Sequence, residues 1–428
     1  MKKIFASPAK KLFISMLDGL EGGSLELMLP DRTLTFGDAQ SELRAQLVVH
    51  RDRFFARALL GGDTAIGEAY MDADWSTPDL VSLIRLAVRN LAQLERLNSF
   101  FSSLGRAADR LRHRLRANTV EGSRRNIRAH YDLSNEFFQL FLDQRMVYSC
   151  AWYETAADSL EAAQVQKLDR VCRKLELQPQ DHVLEIGTGW GAFALHAARN
   201  YGCRVTTTTI SQQQYEHARA LFNAADRDRR IELLLWDYRE LSGSFDKIVS
   251  IEMFEAVGFE HYDEFFGACD RLLKPDGSML LQTITMNEQK FPQYVKQSDW
   301  IQKYIFPGSQ LASLRGVLDS LARATRLSLF HADDMGAHYA RTLAAWRDSF
   351  LHSIDEVKAL GFDDRFIRMW DYYLAFCEGA FLERHISDVQ LLLTKNYNPR
   401  PLFQEPWRLE RESRNPESVP QIPEGVCL

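Results

Sequence analysis

A short apolar run followed by closely spaced glycines constrains the fold of this chain more than any other feature. His182–Ile186 (HVLEI) has the length and composition of a buried parallel strand. Residues 187–191 then read GTGWG, and apolar residues recur at helical spacing from Ala192 to Asn200. Glycines let a backbone approach a ligand where a Cβ atom would clash. The segment therefore predicts a strand, a tight turn and a helix, the first half of a nucleotide-binding βα unit.

An acidic residue inside the predicted strand narrows the choice of ligand. Glu185 lies two residues before the first glycine, where a carboxylate would repel a pyrophosphate, and Ala192 replaces the third glycine of the phosphate-binding fingerprint. A carboxylate here suits a ligand with a cationic centre and an amine. The stretch resembles the Glu-x-Gly-x-Gly pattern of class I methyltransferases, which implies S-adenosylmethionine as cofactor. A nicotinamide-binding or other Rossmann-like turn is the alternative.

Apolar runs and helical patterns alternate through the rest of this region. Six more strands are predicted, at residues 204–210, 231–235, 245–251, 278–285, 327–331 and 388–394. The alternation predicts an α/β fold with a doubly wound sheet that binds ligands at the carboxyl ends of its strands. Aromatic residues between 287 and 310 fit no single helix face, and they predict either a flap over an apolar cavity or core packing.

The pattern predicts three parts along the chain. Residues 1–115 are expected to form a small N-terminal α+β accessory domain, with a hairpin from Ser24–Met28 and Thr33–Phe36. Near its start, residues 10–17 predict a short amphipathic helix that lies on a membrane or caps a domain. Residues 116–395 are expected to be the methyltransferase domain, and residues 396–428 an irregular tail.

Composition bears on partners and location. The net charge of −6 does not favour nucleic acid as a partner. An arginine-rich stretch at 106–128 is either a solvated helix face or a patch for anionic phospholipid headgroups. The six cysteines include no C-x-x-C pair, which predicts no metal site and a reducing, cytoplasmic location. The sequence also predicts no signal peptide and no membrane-spanning run.

From about residue 126 to 395 the chain resembles the cyclopropane-fatty-acyl-phospholipid synthase family, which includes the mycolic acid cyclopropane synthases. The motifs that carry the resemblance are HYDLSNEFFQLFLD, MVYSCAWY, VLEIGTGWG, ISQQQ, IEMFEAVG, RLLKPDG, LLQTIT and HYARTLAAW. The resemblance implies transfer of a methylene group from S-adenosylmethionine to the double bond of an unsaturated phospholipid acyl chain. It further implies a carbocation, a bound bicarbonate ion as the base, and peripheral contact with the inner membrane surface. A homodimer and a monomer are both left open.

The resemblance also assigns individual residues. The positions matched to bicarbonate binding are Cys150, Glu255, the Ile284 backbone and Tyr339, with Gln282 at the position of the family's usual histidine. The positions matched to the cofactor, in addition to Glu185, are Tyr148, Ser149, Gly187, Gly189, Trp190, Thr209, Gln214, Trp236 and Asp237. Trp236 is expected either to stack on adenine or to pack in the core.

Two departures from the family pattern leave the product open. Gln282 can donate a hydrogen bond but cannot carry a proton as histidine does, and Ala256 replaces a common histidine. A cyclopropane is the predicted product, and a methyl-branched chain is the first alternative. A small-molecule N-methyltransferase and a non-enzymatic lipid-binding protein with a degenerate site are more remote alternatives.

Overall fold

The computed structural model describes residues 8–91, 133–296 and 299–399, which contain two β-sheets. The N-terminal elements are α1 (Pro8–Leu17), β1 (Ser24–Met28), β2 (Thr33–Gly37), β3 (Arg44–Val49), α2 (Arg53–Met71), β4 (Trp75–Ser76) and α3 (Leu80–Arg89). Their strands form a four-stranded sheet in the order β2-β1-β3-β4. The predicted hairpin is confirmed, because β1 pairs antiparallel with β2 and places Leu27 opposite Leu34.

Strand β3 was not predicted, although its sequence alternates as expected for a strand with one buried face. Ala45, Leu47 and Val49 are buried, while Arg44 is exposed. Helix α2 contains a kink at Gly62, which adopts φ 59° and ψ −151°. These values are outside the range that most residues adopt, so glycine is needed there.

The second sheet has seven strands. They are β5 (His182–Ile186), β6 (Arg204–Thr208), β7 (Ile231–Leu234), β8 (Phe245–Ile251), β9 (Leu273–Met286), β10 (Leu327–Asp334) and β11 (Ile386–Lys395). Their order is β10-β11-β9-β8-β5-β6-β7, and β11 runs antiparallel to both of its neighbours. The order reverses beside β5, as in a doubly wound fold, so the Rossmann-like prediction is confirmed.

Eleven α-helices lie in the described residues from 133 to 399, and several of them pack on the two faces of this sheet. They are α4 (Asn135–Gln139), α5 (Leu160–Lys174), α6 (Ala192–Tyr201), α7 (Gln212–Ala225), α8 (Tyr262–Leu272), α9 (Phe291–Tyr294), α10 (Trp300–Tyr304), α11 (Leu314–Ala324), α12 (Gly336–His352), α13 (Ile354–Ala359) and α14 (Asp364–Leu382). Adjacent residues of β5 enter different clusters: Val183 packs with α5 and α6, and Leu184 packs with α8. Alternate side chains of a strand point to opposite faces, which explains why the buried strands are continuously apolar.

Helix α14 joins the two sheets. Its Asp371 accepts a hydrogen bond from the Tyr70 hydroxyl of α2 at 2.7 Å, and Glu383 just after it pairs with Arg85 of α3 at 2.7 Å. One apolar cluster contains residues from both parts, including Phe55 and Trp370. The N-terminal elements therefore pack directly on the larger part. The predicted boundary at residue 115 and the arginine-rich stretch lie outside the described residues, as does the tail from residue 400.

Helix α1 confirms the amphipathic prediction near the N-terminus. Phe13 packs edge-on against Phe54 and Phe55 of α2, with ring centroids 5.3 and 5.5 Å away. The helix thus covers the N-terminal core, which supports the capping alternative. In the described part of the chain, no helix is long and apolar enough to cross a bilayer.

Candidate active site

The glycine turn after β5 opens onto a large cavity. Gly187 and Gly189 have φ values of 102° and 53°, in the left-handed region that favours glycine. A Cβ atom on Gly189 would meet nothing within 4 Å, so the backbone is directly accessible from the cavity there. The cavity has a volume of about 790 Å³. It extends from the carboxyl ends of β5 and β6 to α1 and α3 of the N-terminal part.

All ten residues matched to cofactor binding line this cavity: Tyr148, Ser149, Glu185, Gly187, Gly189, Trp190, Thr209, Gln214, Trp236 and Asp237. Thr209 donates a hydrogen bond to the Gln214 side chain at 2.9 Å, which fixes both at the end of β6. The structure thus brings the predicted residues together at one end of the cavity. Their individual roles stay predictions.

Trp236 and Asp237 differ in how far their side chains are exposed. The Trp236 side chain is 51% exposed, so the core-packing interpretation is wrong and the ring is accessible to a ligand. Asp237 is buried and forms an ion pair with Arg239 at 2.8 Å. Asp237 also caps the turn by accepting from the Arg239 backbone N–H at 3.0 Å. Its carboxylate therefore has a positioning role in the loop.

Glu185 is a buried carboxyl group at the centre of the cofactor end. The Thr207 hydroxyl donates to its Oε2 at 2.5 Å. Burial raises the pKa of Glu185 to about 8, against the lowering effects of Thr207 and Lys167. A buried carboxyl without a cationic partner is costly to ionise. This position therefore suits a ligand that brings its own positive charge.

A second acidic group, at the end of β8, was missed by sequence reasoning. The carboxylate of Glu252 accepts three hydrogen bonds. The Cys150 backbone N–H and Gln282 Nε2 donate to Oε1 at 2.7 and 2.8 Å, and the Tyr339 hydroxyl donates to Oε2 at 2.6 Å. Glu252 lines the cavity. Burial raises its pKa even though these donors and Lys167 favour the ionised form.

Glu255, which was predicted, lies beside Glu252. The Thr283 hydroxyl and the Ile284 N–H donate to its Oε1 at 2.9 and 2.6 Å. Its Oε2 is buried and has no hydrogen-bond partner among the described residues. Burial, and then repulsion from Glu252, raise the pKa of Glu255 to about 7. At neutral pH this group therefore exchanges readily between its acid and its carboxylate.

Gln282 is fixed by a network behind the cavity. Its Nε2 donates to Asp388 at 2.9 Å, and its Oε1 accepts from Gln390 at 2.9 Å. Burial, and then the neighbouring Glu252, raise the pKa of Asp388 well above its usual value. The network sets the amide orientation, so Gln282 presents a donor to Glu252.

Cys150 contributes its backbone rather than its thiol. The thiol is fully buried, its pKa is raised by burial, and it donates to the Met335 carbonyl at 3.7 Å. Among the predicted catalytic residues, Glu255, Ile284 and Tyr339 line the cavity, whereas Cys150 and Gln282 lie one layer behind it.

Lys167 of α5 is a further residue that the sequence did not reveal. The side chains of Lys167 and Gln164 are both buried. Lys167 Nζ donates to Ser149 Oγ at 2.6 Å, and Gln164 Nε2 donates to the Ser149 carbonyl at 2.9 Å. A buried lysine near several carboxyl groups partly offsets their charge.

Glu252 could have been found from the sequence, unlike Lys167. It follows the predicted strand 245–251, and an acidic residue at the carboxyl end of a strand is a candidate site residue.

Comparison with known proteins gives a consistent result. A family model described as mycolic acid cyclopropane synthetase matches residues 119–391. The tuberculostearic acid methyltransferase of Mycobacterium tuberculosis is 35% identical over 383 residues, which is 88% of either chain. The cyclopropane-fatty-acyl-phospholipid synthase of Escherichia coli K12 is 37% identical over 373 residues, 84% of this chain and 89% of that one.

A solved structure is similar to the larger part of the chain. It is a mycolic acid cyclopropane synthase in complex with SAH and CTAB, with 34% identity and a TM-score of 0.60. The match covers 64% of this chain and 98% of the solved one.

Proposed function

Because the chain belongs to the mycolic acid cyclopropane synthetase family and is an S-adenosylmethionine-dependent methyltransferase, we propose a specific reaction for it. It transfers a methylene group to the double bond of an unsaturated acyl chain of a phospholipid and forms a cyclopropane. The observation that carries this proposal is the continuity of the cavity from the glycine turn to the N-terminal core.

The two ends of the cavity suit the two reactants. At the sheet end, the glycine turn, Glu185 and the accessible ring of Trp236 are suited to a cationic nucleoside cofactor. At the other end, the lining is apolar and includes Phe13, Leu47 and Leu83. An acyl chain in that channel would gain about 0.8 kcal/mol for each methylene group removed from water.

The junction, where the cofactor end of the cavity meets its apolar end, has side chains suited to methyl transfer to an alkene. Bound S-adenosylmethionine supplies an electrophilic methyl group. An alkene is a weak nucleophile, so the walls must hold the double bond against that methyl and keep out water that would trap a carbocation. The carboxyl groups of Glu252 and Glu255 lie at the junction, where negative charge stabilises the developing cation.

The predicted bicarbonate ion does not fit the residues present. Three of its expected donors, the Cys150 N–H, Gln282 Nε2 and the Tyr339 hydroxyl, already donate to Glu252. The Ile284 N–H donates to Glu255. A bicarbonate ion would therefore lie against two carboxyl groups, and the donors expected to bind it are already used. The proposed reaction does not involve bicarbonate.

A methyl-branched product is the second candidate function. The observation that favours it is Gln282, whose amide is fixed by Asp388 and Gln390 and cannot relay a proton. A relative that matches most of the chain is named a tuberculostearic acid methyltransferase. In this alternative the cation loses a proton from the chain instead of closing a ring.

We also propose that the enzyme acts from the cytoplasm at the inner membrane surface, because its substrate is a membrane lipid. Purified protein incubated with S-adenosylmethionine and unsaturated phospholipid vesicles tests the function. The proposal expects recovered fatty acids that have gained one CH2, with ring protons upfield and no vinyl signal. Retained vinyl protons would favour the methyl-branched product. Absence of any mass gain with cofactor bound would contradict both candidates.

A further inference from the structure

The carboxylate of Glu252 accepts hydrogen bonds from three groups that the family resemblance assigns to a bicarbonate ion. They come from three separate parts of the chain: the loop at Cys150, strand β9 at Gln282 and helix α12 at Tyr339. The donor-to-oxygen distances of 2.6–2.8 Å are those of charge-assisted hydrogen bonds. The three donors therefore form a built carboxylate site, and the chain itself provides the carboxylate.

The backbone at Glu252 supports a role beyond packing. Its φ is +48°, a left-handed value that is uncommon for a residue with a side chain. Such a conformation costs about 1–3 kcal/mol and persists where the surroundings enforce it, often at functional sites. Glycine would adopt the same backbone without this cost. The glutamate side chain is thus placed at a strained position where its carboxylate meets the three donors.

We propose that Glu252 is the catalytic base of this enzyme and takes the place of bicarbonate. The inference rests on the proposed function, because it concerns the carbocation formed after methyl transfer. The alkene electrons form a C–C bond to the methyl carbon while the S–C bond breaks and S-adenosylhomocysteine leaves. A carboxylate oxygen of Glu252 then takes a proton from the cation, and the electrons of that C–H bond form the ring bond.

The geometry allows Glu252 to accept that proton and release it. Its Oε2 accepts from the Tyr339 hydroxyl, and Glu252 lines the same cavity as Glu255 and Ile284. Burial raises the pKa of Glu252, which makes it a stronger base than an exposed glutamate. When product leaves, water that enters the cavity removes the proton.

Bicarbonate dependence and two variants test the proposal. In bicarbonate-free buffer, wild-type turnover should stay within about twofold of its value with bicarbonate. Glu252→Gln keeps the volume but removes the base, so turnover should fall about a hundredfold or more, as for loss of a general base. Glu252→Gly relieves the strained backbone and frees the three donors, so it should be inactive alone and regain activity with added bicarbonate or formate.

A binding measurement keeps the test independent of turnover. Carbon-13 NMR of labelled bicarbonate should show binding to Glu252→Gly and none to wild type. The cofactor affinity of both variants should stay within about threefold of wild type. Glu260→Gln, at an exposed site on the same segment, is the matched control and should behave as wild type.

The inference and the proposed function can fail separately. Bicarbonate-dependent wild-type turnover, bicarbonate binding to wild type, or full activity of Glu252→Gln would each overturn the assignment of Glu252. Absence of acyl product from every protein would instead overturn the proposed function. In that case the NMR comparison still decides whether Glu252 fills an anion site.

Discussion

Individual carboxyl groups in this site differ according to the donors that surround them. Glu252 accepts three hydrogen bonds, Glu255 accepts two on a single oxygen, and Glu185 accepts one from Thr207. The pKa of Glu185 is raised to about 8 and that of Glu255 to about 7, chiefly by burial. The cavity thus holds carboxyl groups that change protonation near neutral pH, as acid–base sites do.

Glu185→Gln should raise the stability of the cofactor-free protein near pH 8 and weaken cofactor binding. The raised pKa means that the folded protein holds this proton more tightly than the unfolded chain. Wild-type stability should therefore fall as pH rises from about 4.5 to about 8, and the variant lacks this fall. Without cofactor, the variant should match wild type at pH near 4 and melt several degrees higher at pH near 8.

The same variant should bind S-adenosylmethionine at least about tenfold more weakly, since it loses a charge partner for the cofactor. Calorimetric titration measures the affinity, and thermal denaturation across pH measures the stability. Equal cofactor affinity in the two proteins would contradict the role assigned to Glu185.

Cys150→Ser should leave turnover within about threefold of wild type. The serine retains the backbone N–H that donates to Glu252, and its hydroxyl can replace the thiol as a donor to the Met335 carbonyl. Steady-state assays of the variant give the answer. A loss of two orders of magnitude would show that the thiol itself takes part in the reaction.

Some residues of the site could be predicted from the sequence, whereas others could not. The glycine turn and Glu185 follow from the local pattern of one strand and its turn. Lys167 could not be found, because helical spacing does not show that the loop at Ser149 covers that face of α5. Trp236 was ambiguous, since its exposure depends on elements distant in sequence.

At the scale of elements, the contact between α3 and α14 holds the N-terminal part against the larger sheet. Ile84 of α3 packs on Gly379, where a Cβ atom would lie 2.7 Å from Ile84 Cγ2. Arg85 and Arg89 both pair with Glu383 at 2.7 Å. The close approach of the helices therefore depends on the absence of a side chain at Gly379.

Gly379→Ala should lower the melting temperature and weaken binding of long acyl chains, because the new methyl group would push α3 away from α14. Overpacking of this kind costs typically about 1–3 kcal/mol. Gly267→Ala on α8 is the matched control, since a Cβ atom there meets nothing within 4 Å. Thermal melts of both variants test the contact, and equal melting temperatures would contradict it.

The bounds of the strands were predicted correctly in some cases and not in others. Strand β5 has its predicted bounds, because a short apolar run between turn residues fixes both of its ends. Strand β9 begins at Leu273, five residues before the predicted start at residue 278. Leu273 pairs with Phe245 of β8, and the register then shifts so that Ser278 pairs with Lys247, which leaves residues 274–277 outside the pairing. The single pair at Leu273 is not visible in the local sequence.

At the scale of the whole molecule, the cavity connects the cofactor end to the N-terminal part. Two-thirds of the chain resembles a solved synthase, and the described N-terminal elements add the far wall of the channel. The sequence predicted an accessory unit but gave it no contribution to the site. Only the packing of α1 and α3 beside the cavity reveals that contribution.

Leu83→Trp should shorten the channel, because Leu83 of α3 lines its far end. The variant should favour phospholipids with shorter acyl chains and raise KM for longer ones, while cofactor affinity stays unchanged. Competition between vesicle lipids of two chain lengths measures the preference. Leu318→Trp, at an exposed position on α11, is the control, and an identical preference in both variants would contradict the assigned channel.

Ring closure can be followed with S-adenosylmethionine that carries a fully deuterated methyl group and vesicles of unsaturated phospholipid. The enzyme should give product acyl chains that carry two deuterium atoms in a new ring methylene, because the base removes one deuteron from the transferred methyl. Mass spectrometry counts the deuterium atoms, and proton NMR shows whether a ring is present. Three retained deuterium atoms with no ring protons would contradict ring closure, and unlabelled lipid would contradict methylene transfer altogether.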